Sequence, residues 1–366
     1  MQTPSEYSQN PEFRGPFTML DLELFNHWLS ATGQETFTEA LKESDLFKTT
    51  FVELGFQNPF LMHEILSLSA LHLAHITPQR AVEFTFASTT HHDLGLSLFQ
   101  PMITQLSREN CDACFAFCSL LTVHTWATQN RTPDSDLLLL PQRSSEVLDT
   151  QHLQWMKLHK GNRAVLHVIW PWIGSGALAP LFRPWAGFQE NAPVSLPPKE
   201  QAALDLVAES WRSEEIIPGH VKMTLEMTLH MLKSVCSLAL MHNDISDHAA
   251  TLAWMTLVPE EFILLVEDRV PEALLILANY CVMLKRLDSV WWCRGIADNL
   301  LRTLFKFLGG EMGKWERYLR WPIEEVMGTQ GGNVDMDMGD RKEPRWNTST
   351  LCPACIFAGT AICTHL

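Results

Sequence analysis

The sequence predicts an all-α protein. Apolar residues recur with helical spacing along most of the 366-residue chain, and strand-like alternation never lasts more than a few positions. Leu, Met and Ala are abundant, whereas only three tyrosines occur. We therefore expect a layered bundle of many helices with an internal apolar pocket, the usual place for a ligand in helical bundles.

The first helix is predicted from its cap and its apolar stripe. Residues 1–17 contain three prolines and polar side chains, and we expect them to form a polar leader. Thr18 then caps a stretch with helical periodicity, and Gly33 is expected to end that helix. The next helix is expected to begin with a capping asparagine and a first-turn proline, Asn58 and Pro59.

Further helices are predicted wherever the 3.6-residue periodicity resumes between prolines, glycines and polar stretches. Residues 129–150 are expected to form a polar connection and residues 183–200, with four prolines, a surface loop. The predicted helices are 58–78, 83–106, 109–129, 154–171, 200–212, 221–242, 247–256, 259–268, 271–287 and 290–309. The helical domain is thus expected over 18–327, followed by an irregular, disordered tail at 328–366.

The charge and the cysteines exclude several classes of protein. The net charge is −15, so the chain lacks the basic balance that direct binding of nucleic acid or an anionic membrane requires. No stretch reaches the roughly 18 apolar residues of a membrane span. Nine cysteines, an odd number without a signal peptide, indicate reduced thiols in an intracellular, soluble protein.

Metal-ligating residue types are present without a decisive spacing. Cys111–Cys114 lies in a predicted helix beside phenylalanines, which favours core thiols, and Cys352–Cys355 could bind a metal with Cys363 and His365. His72 and His75 share a helix face, as metal ligands do, and His63, His91 and His92 lie on neighbouring helices. No acidic residue follows at ligand spacing, so core histidines are favoured and no metal site is predicted.

The sequence motifs that bind diphosphate and magnesium in class I terpene cyclases are incomplete in this chain. An aspartate-rich DDxxD is missing, and "NDISDHAAT", residues 243–251, begins like the second motif of class I terpene cyclases with Asn243 and Asp244. It continues with Asp247 and Thr251, where that motif expects Ser or Thr and then Glu. An inter-helix turn capped by Asn243 and Asp247 is the favoured interpretation.

The helix around "LANYCVMLKRLDSVWW", residues 277–292, carries the strongest candidate for a ligand contact. Leu277, Tyr280 and Lys285 satisfy a loose pattern proposed for sterol contact, and Cys281 lies one turn before Lys285 on the same face. Two interpretations stay open. Lys285 supplies one cation at the rim of a cavity, or it snorkels to solvent at the negative end of its helix.

Several motifs occur together in an order that resembles one protein family. They are "LDLELFNHWLSATG", "PFLMHEILSLSALHLAH", "FAFCSLLTV", "ANYCVMLKRLDSVWWCRGIADNL" and "WERYLRWPIEEV". The chain resembles, over roughly 18–327, the C-terminal regulatory domain of fungal binuclear-zinc-cluster transcription factors of the sterol uptake control type. That resemblance implies an all-α domain that binds a sterol or similar lipid in a helical pocket and couples binding to dimerisation, nuclear entry and transcription.

Two departures from this family affect the expectation. The six-cysteine DNA-binding cluster is missing, because no cysteine precedes Cys111, and the usual Gly-Trp after the double tryptophan reads Gly295–Ile296. We therefore expect regulation through a partner, either a homodimer or a complete zinc-cluster factor, with the protein in nucleus and cytoplasm. The lysine helix is also similar to that of atypical fungal humulene synthases, in which the lysine matches Lys285 but Cys281 replaces Leu or Met.

These observations lead to one preferred function and one alternative. The preferred function is a fungal, transcription-regulator-like sensor of a lipid or secondary metabolite that controls a metabolic gene set without a cofactor. Its pocket residues are expected to be Met62, Leu66, Phe117, Tyr280, Cys281 and Lys285.

The alternative is a class I sesquiterpene cyclase that acts on farnesyl diphosphate with Mg²⁺. In that case Lys285 would hold the diphosphate, and the indoles of Trp126, Trp291 and Trp292 would stabilise carbocations. Carboxylates that converge on Lys285 in a structure would favour the cyclase.

Overall fold

The computed structural model describes residues 18–36, 45–129, 154–185, 193–242, 245–308 and 312–328. These residues are helical and contain no strand, which confirms the predicted all-α class. The predicted leader 1–17, the connection 130–150 and residues 329–366 of the predicted tail lie outside the described residues. The described residues form two compact units.

The first unit comprises the described residues within Met1–Phe37, Leu41–His124 and Val168–Leu181. Its helices are α1 (Met19–His27), α2 (Gly33–Glu35), α3 (Thr50–Gln57), α4 (Pro59–Ile76), α5 (Ala81–Phe99), the part of α6 (Cys111–Gln129) up to His124, the part of α7 (Gln154–Ile173) from Val168, and most of α8 (Ala179–Phe182). Short 3₁₀ turns occupy Asp45–Phe47, Pro78–Arg80 and Gln100–Gln105.

The start of α1 follows the sequence prediction and its end does not. The Thr18 hydroxyl accepts a hydrogen bond from the Asp21 backbone N–H, and the Asp21 carboxylate accepts one from the Thr18 N–H, a complete capping box. The predicted stop at Gly33 is wrong. A π-helical turn, Trp28–Thr32, leads into α2, and Gly33 keeps right-handed helical dihedrals of −61° and −26°. A β-carbon at Gly33 would come within 3.1 Å of the Trp28 carbonyl oxygen, so close packing explains the glycine.

Helices α4 and α5 form an antiparallel hairpin, as their paired residues run in opposite directions. Ser67 Oγ donates to the Ser88 carbonyl at 2.9 Å, whereas earlier in α4 the backbone of Phe60 faces Gly95 near the end of α5. A β-carbon on Gly95 would lie 3.1 Å from the Phe60 carbonyl oxygen, so glycine allows the two backbones to approach. The Phe60, Phe99 and Phe117 rings pack together at this end, with centroids 4.3 to 5.6 Å apart.

Asp112, in the first turn of α6, fixes the chain that follows α7. Its carboxylate accepts hydrogen bonds from the backbone N–H groups of Ala177 at 2.9 Å and Leu178 at 3.1 Å. The carboxylate lies so near Gly176 that a β-carbon there would meet it. Helix α7 itself runs to Ile173 and not to Pro171 as predicted, because a proline near the last turn fits helical φ.

The second unit comprises the described residues within Thr125–His167 and Phe182–Leu366. Its helices are the remainder of α6 and α7, α9 (Pro198–Arg212), α10 (Gly219–Met241), α11 (Asp247–Leu257), α12 (Glu260–Glu267), α13 (Pro271–Arg286), α14 (Ile296–Leu308) and α15 (Met312–Met327). The predicted loop 183–200 is shorter than expected, because α9 begins at Pro198.

Helix α13 is the central helix of this unit. Every residue from Glu272 to Leu284 is buried, as the nearly unbroken apolar run in its sequence predicts. Helices α9, α10, α11, α12, α14 and α15 pack against it. Within α13, the first residue, Pro271, and the basic end, Lys285 and Arg286, are partly exposed.

The helix predicted at 290–309 begins later than expected. Residues 287–295 form consecutive turns, and α14 starts at Ile296. Asp288 Oδ1 accepts a hydrogen bond from the Gly295 N–H at 2.8 Å, and Gly295 has a φ of +80°, the left-handed region that glycine tolerates. The two tryptophans 291 and 292 therefore lie in a turn and not in a helix.

Among the described residues, no single helix combines the length and apolar character needed to cross a membrane. The pair α11 and α12, bent by 86° at its break, meets that test only when both helices are taken together.

Candidate functional site

Two of the three candidate ligand residues on α13, Tyr280 and Cys281, are fully buried in the second unit. The Tyr280 hydroxyl donates to the Thr251 carbonyl at 3.1 Å, and its ring stacks on Trp254 with centroids 4.4 Å apart. One residue further, the Cys281 thiol donates to the Leu277 carbonyl at 3.4 Å, and burial raises its pKa well above the ordinary thiol value. Cys281 is thus a small protonated side chain inside the helix packing, with no reactive thiolate.

Lys285, one turn further along α13, is held by two carboxylates. Its Nζ lies 2.8 Å from Asp298 Oδ2 and 3.3 Å from Asp288 Oδ2, and the three side chains are 29 to 36% exposed. Partial burial lowers the pKa of Lys285, but hydrogen bonds and charge attraction from Asp298 and Asp288 outweigh it and leave the pKa raised. The lysine is charged at every physiological pH.

This arrangement differs from both interpretations of Lys285. Lys285 is neither an unpaired cation at the rim of a cavity nor a side chain surrounded by water alone. Its hydrogen bond to Asp298 links the end of α13 to the first turn of α14. Carboxylates do converge on the lysine, which is the feature expected of the cyclase. However, Asp288 also holds the Gly295 N–H, and Asp298 lies at a helix N-terminus where an acidic residue is favourable by itself. Both acids therefore have structural roles that need no magnesium ion.

The other three candidate pocket residues lie in the first unit. Met62 and Leu66 are buried one turn apart on α4, and Phe117 on α6 is fully buried among the aromatic rings described above. Tyr280, Cys281 and Lys285 belong to the second unit. A single pocket lined by all six residues therefore stays a prediction.

The histidines of the first unit form pairs between helices. His27 Nε2 lies 3.3 Å from His72 Nδ1, and His63 Nδ1 lies 3.0 Å from His91 Nδ1. Burial lowers the pKa of His63 and of His72 to about 4, with a neighbouring histidine as a further cause in each case. These imidazoles are neutral at neutral pH, as the expectation of core histidines implies.

A third histidine pair joins a buried acid that the sequence analysis missed. His92 of α5 stacks on His124 of α6 with ring centroids 3.8 Å apart, and His92 Nδ1 lies 3.0 Å from Glu64 Oε2 of α4. One ligand atom from each of the three side chains lies within 4.8 Å of the other two. The available signal was Glu64 itself, because it is the one acidic residue in the apolar run 59–76.

The cysteines and the diphosphate-like motif do not form sites in the described residues. Cys111, Cys114 and Cys118 are buried thiols that form no disulfide, and burial raises the pKa of Cys114 to about 12, which disfavours the thiolate form that binds metals. Ser246, not Asp247 as predicted, caps α11 by accepting from the Ala249 N–H. Asn243, Asp244 and the tail pair Cys352–Cys355 lie outside the described residues.

Comparison with known proteins shows which proteins this chain is similar to. Residues 23–165 match the family described as "Fungal specific transcription factor domain". The resemblance to the regulatory domain of fungal zinc-cluster transcription factors is thereby confirmed, whereas the resemblance to humulene synthases finds no support in these comparisons.

Three named relatives are similar to parts of this chain. A protein of Gibberella zeae, "Zn(2)-C6 fungal-type transcription factor", is 26% identical over 330 residues, which cover 87% of this chain and 64% of that protein. "Sterol uptake control protein 2" of Candida albicans is 25% identical, and that of Saccharomyces cerevisiae 24% identical, over 158 residues. Those residues cover 43% of this chain in both cases, and 20% and 16% of the two relatives. The chain thus spans less than two thirds of the length of each of these relatives.

Proposed function

We propose that the chain is the regulatory part of a fungal transcription regulator and senses a sterol or a similar isoprenoid lipid. The observation that carries the proposal is the match of residues 23–165 to the transcription factor domain, together with two relatives named as sterol uptake control proteins. The lipid controls a set of metabolic genes, and the protein acts in the nucleus, with a pool in the cytoplasm. The chain pairs with a second copy or with a complete zinc-cluster factor. Because its own net charge is −15, the contact with DNA comes from such a zinc-cluster factor.

The mechanism we propose is a population shift between two packings of the helices. A lipid that fills the apolar interior favours one packing, and the surface that binds the partner is exposed or hidden accordingly. The burial of α13 from Glu272 to Leu284 supports this role, because a helix that packs against six others transmits a change in its packing to several elements. Tyr280, Cys281 and Lys285 are the proposed contacts on α13, and Met62, Leu66 and Phe117 the proposed contacts in the first unit.

The proposal is tested by binding of a fluorescent sterol to the purified chain. The variant Cys281→Trp adds bulk to a fully buried position, and the matched control Cys281→Ser adds no bulk and keeps a polar hydrogen. Overpacking of a core typically costs about 1–3 kcal/mol, so unfolding by urea is measured for each variant. We expect Cys281→Ser to bind the sterol as the unmodified chain does and Cys281→Trp to bind at least about 10-fold more weakly.

Two results would contradict this function. Equal sterol affinity of a folded Cys281→Trp variant would remove α13 from the site. No binding of sterols or isoprenoid alcohols, with no lipid carried through purification in native mass spectrometry, would remove lipid sensing altogether.

One observation still favours the cyclase alternative, namely that Asp288 and Asp298 lie close to Lys285. Purified protein with farnesyl diphosphate and Mg²⁺ is assayed for released diphosphate and volatile products. Turnover that disappears with EDTA and in Lys285→Ala would establish an enzyme, whereas we expect no product.

A further inference from the structure

The most unusual chemistry outside α13 is a buried carboxylate beside two stacked imidazoles. Glu64 is completely buried, and it projects from an otherwise apolar stretch of α4. Its Oε2 lies 3.0 Å from His92 Nδ1, while no hydrogen-bond donor reaches its Oε1 in the part of the chain that the structure describes. A buried acceptor without a donor is costly, and more so when the group carries a charge.

From this geometry we propose that Glu64, His92 and His124 form a divalent transition-metal site, with Zn²⁺ as the expected occupant. One carboxylate and two imidazoles are a ligand set that zinc accepts, with a further position for water or another ligand. The three ligand atoms already lie within 4.8 Å of one another, so small side-chain movements bring them to one ion. The ion would give the buried carboxylate a full positive partner, which the contact with His92 supplies only in part.

The two histidine rings are stacked, and a hydroxyl group lies beside one of them. The rings are parallel within 5° with centroids 3.8 Å apart. Neutral imidazole is the form that binds a metal ion. Metal-bound histidines are usually supported by a hydrogen bond at the second ring nitrogen. The Ser88 hydroxyl lies 3.4 Å from His124 Nε2, and Ser88 is itself held by Ser67.

The position of the cluster defines its effect on the fold. Its ligands come from α4, α5 and α6, one from each helix, so an ion at this point would cross-link three helices of the first unit. This role does not depend on a lipid ligand or on the candidate residues of α13. It places the site within residues 23–165, the part that matches the transcription factor domain.

The test uses the full chain, stripped of metal with a chelator and then equilibrated with Zn²⁺. Bound zinc is counted by mass spectrometry of the elements, and affinity is measured by competition with a chromogenic chelator. Glu64→Gln and His124→Gln each remove one ligand, and His63→Gln is the matched control, because His63 precedes Glu64 on α4 and pairs with His91 outside the cluster. Circular dichroism establishes that each variant is folded.

We expect about one zinc ion per chain, with affinity reduced at least about 100-fold in Glu64→Gln and in His124→Gln and unchanged in His63→Gln. Unchanged zinc binding in a folded Glu64→Gln variant would overturn the proposal, as would a failure of the unmodified chain to retain zinc.

The absorption spectrum of bound Co²⁺ needs no substitution in the chain. It therefore tests the site even if the variants misfold, and it distinguishes these ligands from thiolates. Co²⁺ bound to nitrogen and oxygen ligands absorbs only weakly in the visible range, whereas thiolate ligands add intense charge-transfer bands in the near ultraviolet. We expect no thiolate bands. Thiolate bands that disappear in the double variant Cys352→Ser, Cys355→Ser would assign the metal to the tail cysteines and contradict the site at Glu64.

Discussion

The ion pair at the end of α13 gives a prediction whose size follows from the structure. Lys285 lies 2.8 Å from Asp298, and the two side chains are 30% and 29% exposed. With water-like screening, two unit charges at this distance attract by about 1.5 kcal/mol. Holding two flexible side chains in one geometry reduces that gain, and exposed pairs typically contribute about 0.2–1 kcal/mol. We therefore expect the pair itself to stabilise the fold by about 1 kcal/mol.

A double-mutant cycle isolates this value. Lys285→Met retains the aliphatic stem and removes the charge, Asp298→Asn removes the partner charge, and the double variant closes the cycle. Urea unfolding followed by far-ultraviolet circular dichroism gives the free energy of unfolding of each protein. Lys285→Met alone is expected to cost about 1–2 kcal/mol, because it also leaves Asp288 without its cation. The coupling should decrease in about 1 M salt, where the Debye length is about 3 Å.

Two outcomes would refute this reasoning. A coupling energy indistinguishable from zero would mean that the contact contributes nothing in solution. A loss above about 3 kcal/mol in Lys285→Met would place the lysine in an environment as desolvated as that of a buried ion pair. A loss in the expected range also makes Lys285→Met a suitable folded variant for ligand-binding experiments.

Two more predictions concern stability. Burial lowers the pKa of His159 to about 3 and of His248 to about 4, from 6.5. The unfolded chain therefore binds protons first as pH falls below 6.5, and the free energy of unfolding should decrease by about 2 kcal/mol per histidine by pH 5. Urea unfolding across this range tests the slope, which His248→Gln should reduce, and a flat profile would contradict neutral burial. Separately, Asp112→Ala should cost about 1.5–3 kcal/mol, because its carboxylate holds the N–H groups of Ala177 and Leu178. Asp112→Asn, which keeps one acceptor oxygen but no charge, should cost less, and equal losses of the two variants in thermal unfolding would show that the neutral acceptor contributes nothing.

Local sequence signals predicted the structure correctly where a segment's conformation depends on residues near it in the chain. Thr18 caps α1 with Asp21 as predicted, and the apolar run of α13 is buried along its whole length. The same local rules gave a wrong prediction where a side-chain contact several residues away determines the backbone conformation. The segment 287–295 is apolar enough to be helical, but the Asp288 side chain and the left-handed Gly295 hold it as turns.

For the candidate sites, too, local signals identified single residues but not their partners from other helices. Lys285 was identified from its helix, but its partner Asp298 lies 13 residues further in a different helix, and no periodicity links the two. The pairing of Glu64 with His92 and His124 requires knowledge of how α4, α5 and α6 pack. The sequence gives no periodicity that links these three residues, because the acid comes from the helix next to that of His92.

The two proposed sites of the first unit are connected through one helix. On α4, Glu64 lies between Met62 and Leu66, and each step of two residues turns a helix by about 200°. Glu64 therefore faces α5 and α6 on a different side from the two apolar residues proposed to contact a lipid. An ion at Glu64 would fix the rotation of α4 about its axis, and the same rotation decides where Met62 and Leu66 point. Because binding free energies are linked reciprocally, metal and lipid would each change the affinity for the other by the same factor.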